Sequence, residues 1–157
     1  MVKSGGQVPA FSGKYYYTVD PKGRIIIPSP FREIISINYS PKLYVVNALF
    51  DKCLNIFPQE EWAKLEEKVR SLPSMDESVQ YFKRKVIASA QEVELDKQGR
   101  ILIPAAHRED AGLSSDIVIA GALDKIEVWD RKEWDAVLDP SRIDKKEVAQ
   151  KLTEYGI

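Results

Sequence analysis

The chain contains one stretch twice. Asp20-Pro21-Lys22-Gly23-Arg24-Ile25-Ile26-Ile27-Pro28 and Asp96-Lys97-Gln98-Gly99-Arg100-Ile101-Leu102-Ile103-Pro104 share Asp, Gly, Arg, an apolar triplet and Pro at matching positions, 76 residues apart. Arg32-Glu33 and Arg108-Glu109 extend the match at the same offset. Farther on, Leu54-Asn55-Ile56-Phe57 answers Ile126-Glu127-Val128-Trp129, and Trp62 answers Trp134, at an offset of 72, so the second copy is four residues shorter in its middle. A chain of 157 residues that repeats once, at so long a period, is a pseudo-symmetric pair rather than a solenoid. Whatever one half folds into, the other half is its structural equivalent.

Each copy reads as strand, tight turn, strand, short helix, strand, turn, strand, helix. Lys14 to Val19 is aromatic and β-branched, as strands prefer. Asp20-Pro21-Lys22-Gly23 fits a type I turn, with a left-handed Gly23 forming the bulge of a three-residue hairpin loop. Asp96-Lys97-Gln98-Gly99 has the same ends without the proline. Arg24 to Ile27 is then the returning strand, and Pro28, which has no N–H to donate, ends it. Ser29-Pro30 suggests an N-cap followed by proline at the first helical position. Leu43–Ala48 with Cys53–Phe57, and Ile117–Ala120 with Ile126–Trp129, form a second hairpin in each copy. Trp62, Leu65, Val69 and Leu72 make one apolar helical stripe. Ser74 with Glu77 suggests a capping box, Asp130 with Glu133 another, and Asp144 caps a last helix that carries Val148, Leu152 and Tyr155.

These patterns divide the chain into a flexible extension over 1–10, a first repeat over 11–72, a linking helix over 73–87, a second repeat over 88–138 and a C-terminal helix over 139–157. The fold class is mainly β with peripheral helices. No apolar run approaches the roughly 20 residues of a membrane helix. Residues 1–7 contain no apolar stretch of signal-peptide type, and the single cysteine, Cys53, cannot form an internal disulfide, so a cytoplasmic protein is expected.

Enzymatic chemistry has little to stand on. The one histidine, His107, is read as a helix-surface residue, and no metal-ligand spacing or Gly-rich phosphate loop appears. No cofactor, metal or small-molecule substrate is expected. The formal net charge of −1 is unevenly spread: residues 1–87 carry a net +4 and residues 88–157 a net −5. Such asymmetry suits a protein with one face for an anionic partner.

The two Asp-x-x-Gly-Arg loops are the candidate site. A two-stranded hairpin fits the DNA major groove, where an arginine can pair with guanine O6 and N7. Arg24 is assigned that role, Lys22 a phosphate contact and Arg32, on the following helix, another; Arg100 and Lys97 are their secondary counterparts. Asp20 and Asp96, with Gly23 and Gly99, form the turns, and each carboxylate is expected to accept backbone N–H bonds and hold its arginine in place. Lys83-Arg84-Lys85 is read as a solvated helix face, two of Tyr15-Tyr16-Tyr17 as packing residues, and Trp62, Trp129 and Trp134 as core.

Phe11-Ser12-Gly13-Lys14-Tyr15, followed by Asp20 to Pro28 and Phe31-Arg32, resembles the opening of the MraZ family, and Asp96 to Pro104 resembles that family's second motif. The family comprises bacterial transcription regulators tied to the division and cell-wall gene cluster. The resemblance implies a duplicated swapped-hairpin, or double-split, β-barrel related to the AbrB and MazE DNA-binding domains. It also implies a cytoplasmic, nucleoid-associated repressor that forms homo-oligomeric rings and binds G-containing direct repeats in double-stranded promoter DNA. Glu92, Glu94, Glu109 and Asp110 surround the second motif, so the first copy is expected to read DNA and the second mainly to complete the barrel. Two rivals remain: an antitoxin-like protein whose helices neutralise a toxin, and a structural assembly protein that never meets DNA.

Overall fold

A computed structural model describes residues 9–157, so most of the extension expected over 1–10 lies outside the described residues. The first copy gives β1 (Lys14–Thr18), β2 (Arg24–Ile26), α1 (Ser29–Asn38), β3 (Lys42–Asn47), β4 (Leu54–Pro58) and α2 (Gln59–Arg70), with α3 (Glu77–Lys85) after it. The second gives β5 (Gln91–Glu94), β6 (Arg100–Leu102), α4 (Ala105–Asp110), β7 (Asp116–Gly121), β8 (Ile126–Asp130) and α5 (Arg131–Val137), with α6 (Lys145–Glu154) after it.

The strands form a six-stranded sheet in the order β1-β7-β8-β4-β3-β5 and a two-stranded ribbon, β2-β6. Hairpins β3–β4 and β7–β8 form as the sequence suggests and join back to back through β4 and β8. The outer strands are exchanged: β1 of the first copy lies on β7, and β5 of the second lies on β3. Asn55 faces Glu127 at the centre of the sheet and Ile25 faces Ile101 at the centre of the ribbon, and the two copies are related about these pairs. This is the duplicated, strand-exchanged barrel that the family resemblance implies. Its core lies between ribbon and sheet and draws on both copies, with Ile25, Ile27, Ile101 and Ile103 of the ribbon fully buried against it. Each of those side chains contributes about 1.5–3 kcal/mol through burial.

The exchange corrects the hairpin reading of β1 and β2. The turn closes as expected, with Gly23 N–H donating to Asp20 O at 3.0 Å and Asp20 N–H to Arg24 O at 2.9 Å. The hairpin opens after that rung, because Val19 N–H donates to Ser115 O, while Ile27 N–H and Ile103 N–H reach across to Gly99 O and Gly23 O. Opening lets β1 bury Tyr15 and Tyr17 on β7 while Ile25 and Ile27 enter the shared core. A local hairpin would have to hold both apolar sets over one narrow face.

Two helix starts also differ from expectation. α1 begins at Ser29 without a side-chain cap. The Pro28 carbonyl itself accepts Phe31 N–H and Arg32 N–H, so proline ends the strand and opens the helix in one step, as Pro104 does for α4. α3 is capped by Asp76, not Ser74, through bonds from Ser78 N–H and Val79 N–H. Asp130 and Asp144 cap α5 and α6 as the sequence suggests. His107 is buried rather than on the helix surface, with Nε2 2.6 Å from Ser89 O, because α4 lies on the strand layer and turns this position inward. Trp62 and Trp129 are core residues; Trp134 is half-buried and packs edge-on to Trp129 at 5.9 Å.

Candidate nucleic-acid interface

Alternation along the ribbon decides what faces out. With Ile25 and Ile101 turned inward, Arg24, Ile26, Arg100 and Leu102 occupy the opposite face, and the register sets Arg24 beside Leu102 and Ile26 beside Arg100. Ile26 and Leu102 are 43% and 54% exposed. One ribbon surface therefore carries two arginines and two uncovered aliphatic groups, with a glycine loop leading into each strand.

The loops are built alike. Asp20 Oδ1 accepts the N–H groups of Lys22 and Arg24 at 2.9 and 2.8 Å, and Asp20 Oδ2 takes Arg24 Nε at 2.7 Å. Asp96 repeats the pattern with Gln98 N–H and Arg100 N–H at 2.9 Å each and Arg100 Nε at 2.9 Å. The Arg24 N–H bond is the main cause holding the Asp20 carboxyl below the usual carboxylate range; desolvation opposes it, and the Arg24 guanidinium and Lys22 N–H add to the lowering. Asp96 is lowered in the same way by Arg100 and Gln98. Both carboxylates therefore stay ionised well below neutral pH. Each consumes only the Nε edge of its arginine and leaves the two terminal nitrogens, the pair that makes bidentate contacts. The copies differ at those nitrogens. Arg100 Nη2 donates to Gln98 Oε1, whereas among the described residues no acceptor bonds the Nη atoms of Arg24.

Arg32 is not where its sequence position suggests. It does not serve the loop that precedes it; it lies across Gly99 of the other copy, with Nη1 3.4 Å from Gln98 O. Arg108 does the reverse: it lies on Gly23 of the first loop and donates Nε to Ile103 O at 3.1 Å. A Cβ on Gly23 would sit 2.7 Å from Arg108 Cζ, so glycine is needed here for the close approach as well as for its φ of +87°. The first loop thus gathers Lys22, Arg24 and Arg108, and the second Lys97, Arg100 and Arg32. Arg108 was missed as a site residue, although its match to Arg32 at the repeat offset was a usable signal.

The acidic neighbours of the second motif are partly occupied elsewhere. Glu92 accepts Tyr44 OH at 3.2 Å, Glu94 pairs opposite Lys42 on the sheet edge, and Asp110 accepts Asn47 Nδ2 at 3.0 Å. Lys83, Arg84 and Lys85 close the last turn of α3, where cations complement the helix's exposed carbonyls. Among the described residues no cluster of three His, Cys, Asp or Glu side chains is arranged to hold a metal ion, and no helix is long and apolar enough to cross a membrane.

Known proteins match the chain along most of its length. The family model described as "MraZ protein, putative antitoxin-like" matches the chain twice, over residues 10–85 and 86–154. The transcriptional regulator MraZ of Acetivibrio thermocellus is 43% identical over 147 residues, spanning 94% of this chain and 99% of that protein. The proteins of the same name from Clostridium tetani and Heliobacterium modesticaldum are 40% and 39% identical over 147 residues, again spanning 94% of this chain and 99% of each relative.

Proposed function

This chain belongs to the MraZ family, and from that premise we propose that it is a DNA-binding transcription regulator that reads double-stranded promoter DNA with the outer face of the β2–β6 ribbon. The observation that supports this most is the pinned arginine. Asp20 fixes Arg24 by its Nε edge and leaves the terminal nitrogens without a bonding partner among the described residues, poised for guanine O6 and N7. Pinning settles the geometry before DNA arrives, so less rotamer entropy is lost on binding. Ile26 and Leu102 suit the thymine methyl group. Lys22, Arg108, Lys97 and Arg32 supply phosphate contacts that orient the ribbon.

The first loop leads in this reading, because Arg100 already spends a terminal nitrogen on Gln98. Several copies in a ring present several first loops, and their joint engagement of G-containing direct repeats offsets weak single contacts. The regulated unit is the division and cell-wall cluster, the outcome repression, and the setting the cytoplasmic nucleoid. The chain carries out no catalysis in this scheme.

Titration of labelled DNA from upstream of the chain's own reading frame, by fluorescence anisotropy at several salt concentrations, tests the proposal. Affinity should fall steeply with salt. Arg24→Ala should cut discrimination between the site and a guanine-substituted site by about 1–3 kcal/mol, roughly 5- to 150-fold. Lys22→Ala should weaken all sequences alike and reduce the salt slope by about one. Absence of binding, or undiminished discrimination in Arg24→Ala, defeats it.

A further inference from the structure

The two copies end differently. The family match places α3 at the end of the first copy and α6 at the end of the second, so the helices are counterparts. α3 is covered: Phe82 and Val86 pack with Val46, Phe57 and Trp62. α6 is not. Every residue from Val137 to Ile157 is exposed. Val148, Leu152 and Tyr155 nevertheless fall at i, i+4 and i+7, one continuous apolar stripe, with Tyr155 73% exposed. A helix of ten residues is marginal in water unless its apolar face is packed. Its Asp144 cap and regular form therefore call for a cover that the described residues do not supply.

A matching recess lies over the first copy. A cleft of about 540 Å³ opens between α2, α3 and the turn after β3, with Phe57, Leu65 and Phe82 among its lining residues. Phe50, 84% exposed, also lines it. Its charge is sided: Asp51, Asp124 and Glu127 belong to the turn and strand walls and Lys64 and Lys68 to the α2 wall, where Glu61 pairs with Lys64 at 3.2 Å and leaves that wall with a net positive charge, and Lys125 is turned onto the Phe57 ring. α6 is sided to match. At 3.6 residues per turn, Lys145 falls on one flank of the stripe and Glu147 and Glu154 on the other, where Lys151 is paired to Glu154 at 4.0 Å.

We propose that α6 of one copy seats Val148, Leu152 and Tyr155 in the Phe50–Leu65–Phe82 cleft of a second copy. Lys145 then faces the acidic wall, and Glu147 and Glu154 face the α2 lysines. Helix and cleft are unlike surfaces, so the contact is head-to-tail and leaves one helix and one cleft open at the ends of any chain of copies until a ring closes. The inference rests on the multi-copy reading above and assigns the contact that builds the assembly.

Two variants at exposed positions test it: Leu152→Asp spoils the helix and Phe50→Asp spoils the cleft. By light scattering after gel filtration, each variant alone should run as a monomer while the unaltered chain runs as a multimer. Mixed one to one, they should form a dimer, because the intact helix of Phe50→Asp meets the intact cleft of Leu152→Asp. Wild-type mass in either variant alone, or a mixture that stays monomeric, overturns the contact but not the multimer. An unaltered chain that is itself monomeric overturns the multi-copy reading and the contact with it. Both variants should retain salt-dependent binding of a single DNA site, since neither touches the ribbon.

Discussion

Replacing Gly23 by alanine tests the cross-copy clamp by a double-mutant cycle. Gly23 has φ +87°, a conformation that costs an L-residue about 1–2 kcal/mol. The new methyl group would lie 2.7 Å from Arg108 Cζ and 2.9 Å from Arg108 Nε, so the guanidinium must leave the loop. Its bond to Ile103 O at 3.1 Å is then lost, a further loss of about 1–1.5 kcal/mol for a half-buried charge-assisted bond. The total is about 2–3.5 kcal/mol, a fall in Tm of about 5–12 °C for a domain of this size. Urea unfolding followed by tryptophan fluorescence, at fixed chain concentration, measures it. In an Arg108→Ala background the collision has no partner and only the backbone cost remains. The double variant should therefore be more stable than the sum of the single losses predicts, by about 1–1.5 kcal/mol. Gly156→Ala is the contrast: φ is +85°, but a Cβ there meets nothing within 4 Å, so substituting Arg108 should not alter its effect. If Gly23→Ala and Arg108→Ala prove additive to within about 0.5 kcal/mol, Arg108 does not rest on the first loop, and the composite site is wrong.

Acid should act through the two turn carboxylates. Both are depressed in the folded protein, so their stabilisation is complete above the unfolded carboxylate range and disappears as pH falls through their folded values. The stability gap between the unaltered chain and an Asp20→Asn/Asp96→Asn variant should be constant from about pH 7 to 5 and close below about pH 4. Cys53 should be inert in the native protein. Burial, then the Glu127 and Asp51 carboxylates, push its thiol up to about 12, with Lys125 opposing. A thiol reagent at pH 8 should react promptly only after denaturation; stoichiometric labelling of native protein within a minute counts against that burial.

Much of this was legible in the sequence because the repeat samples each local signal twice. Asp and Gly at fixed spacing define a turn wherever they occur, and both turns formed with their carboxylates on the expected N–H groups. The inner hairpins formed as the sequence suggests. Strand partners for β1 and β2 were not legible from local patterns, since a turn with one closing rung looks the same whether its strands stay together or part. Only the family resemblance carried the exchange. Helix starts were misplaced where a backbone carbonyl did the work assigned to a serine, as at Pro28, or where two acceptors competed, as Ser74 and Asp76 did. The sequence places Arg32 on the helix after the first loop without fixing which loop it meets; strand exchange carries it to the second one.

Strand exchange also makes each half an obligate host for the other. A half-length ancestor with this layout would expose the edges of its β1 and β3 equivalents and bare the flank of its glycine loop, needs that a twin molecule satisfies by symmetry. Fusing the twins into one polypeptide fixes their ratio and removes the concentration dependence of that pairing. It also releases the halves from identity. Pro21 can stiffen one loop while Gln98 braces the arginine of the other, an asymmetry that no homodimer of identical halves can encode.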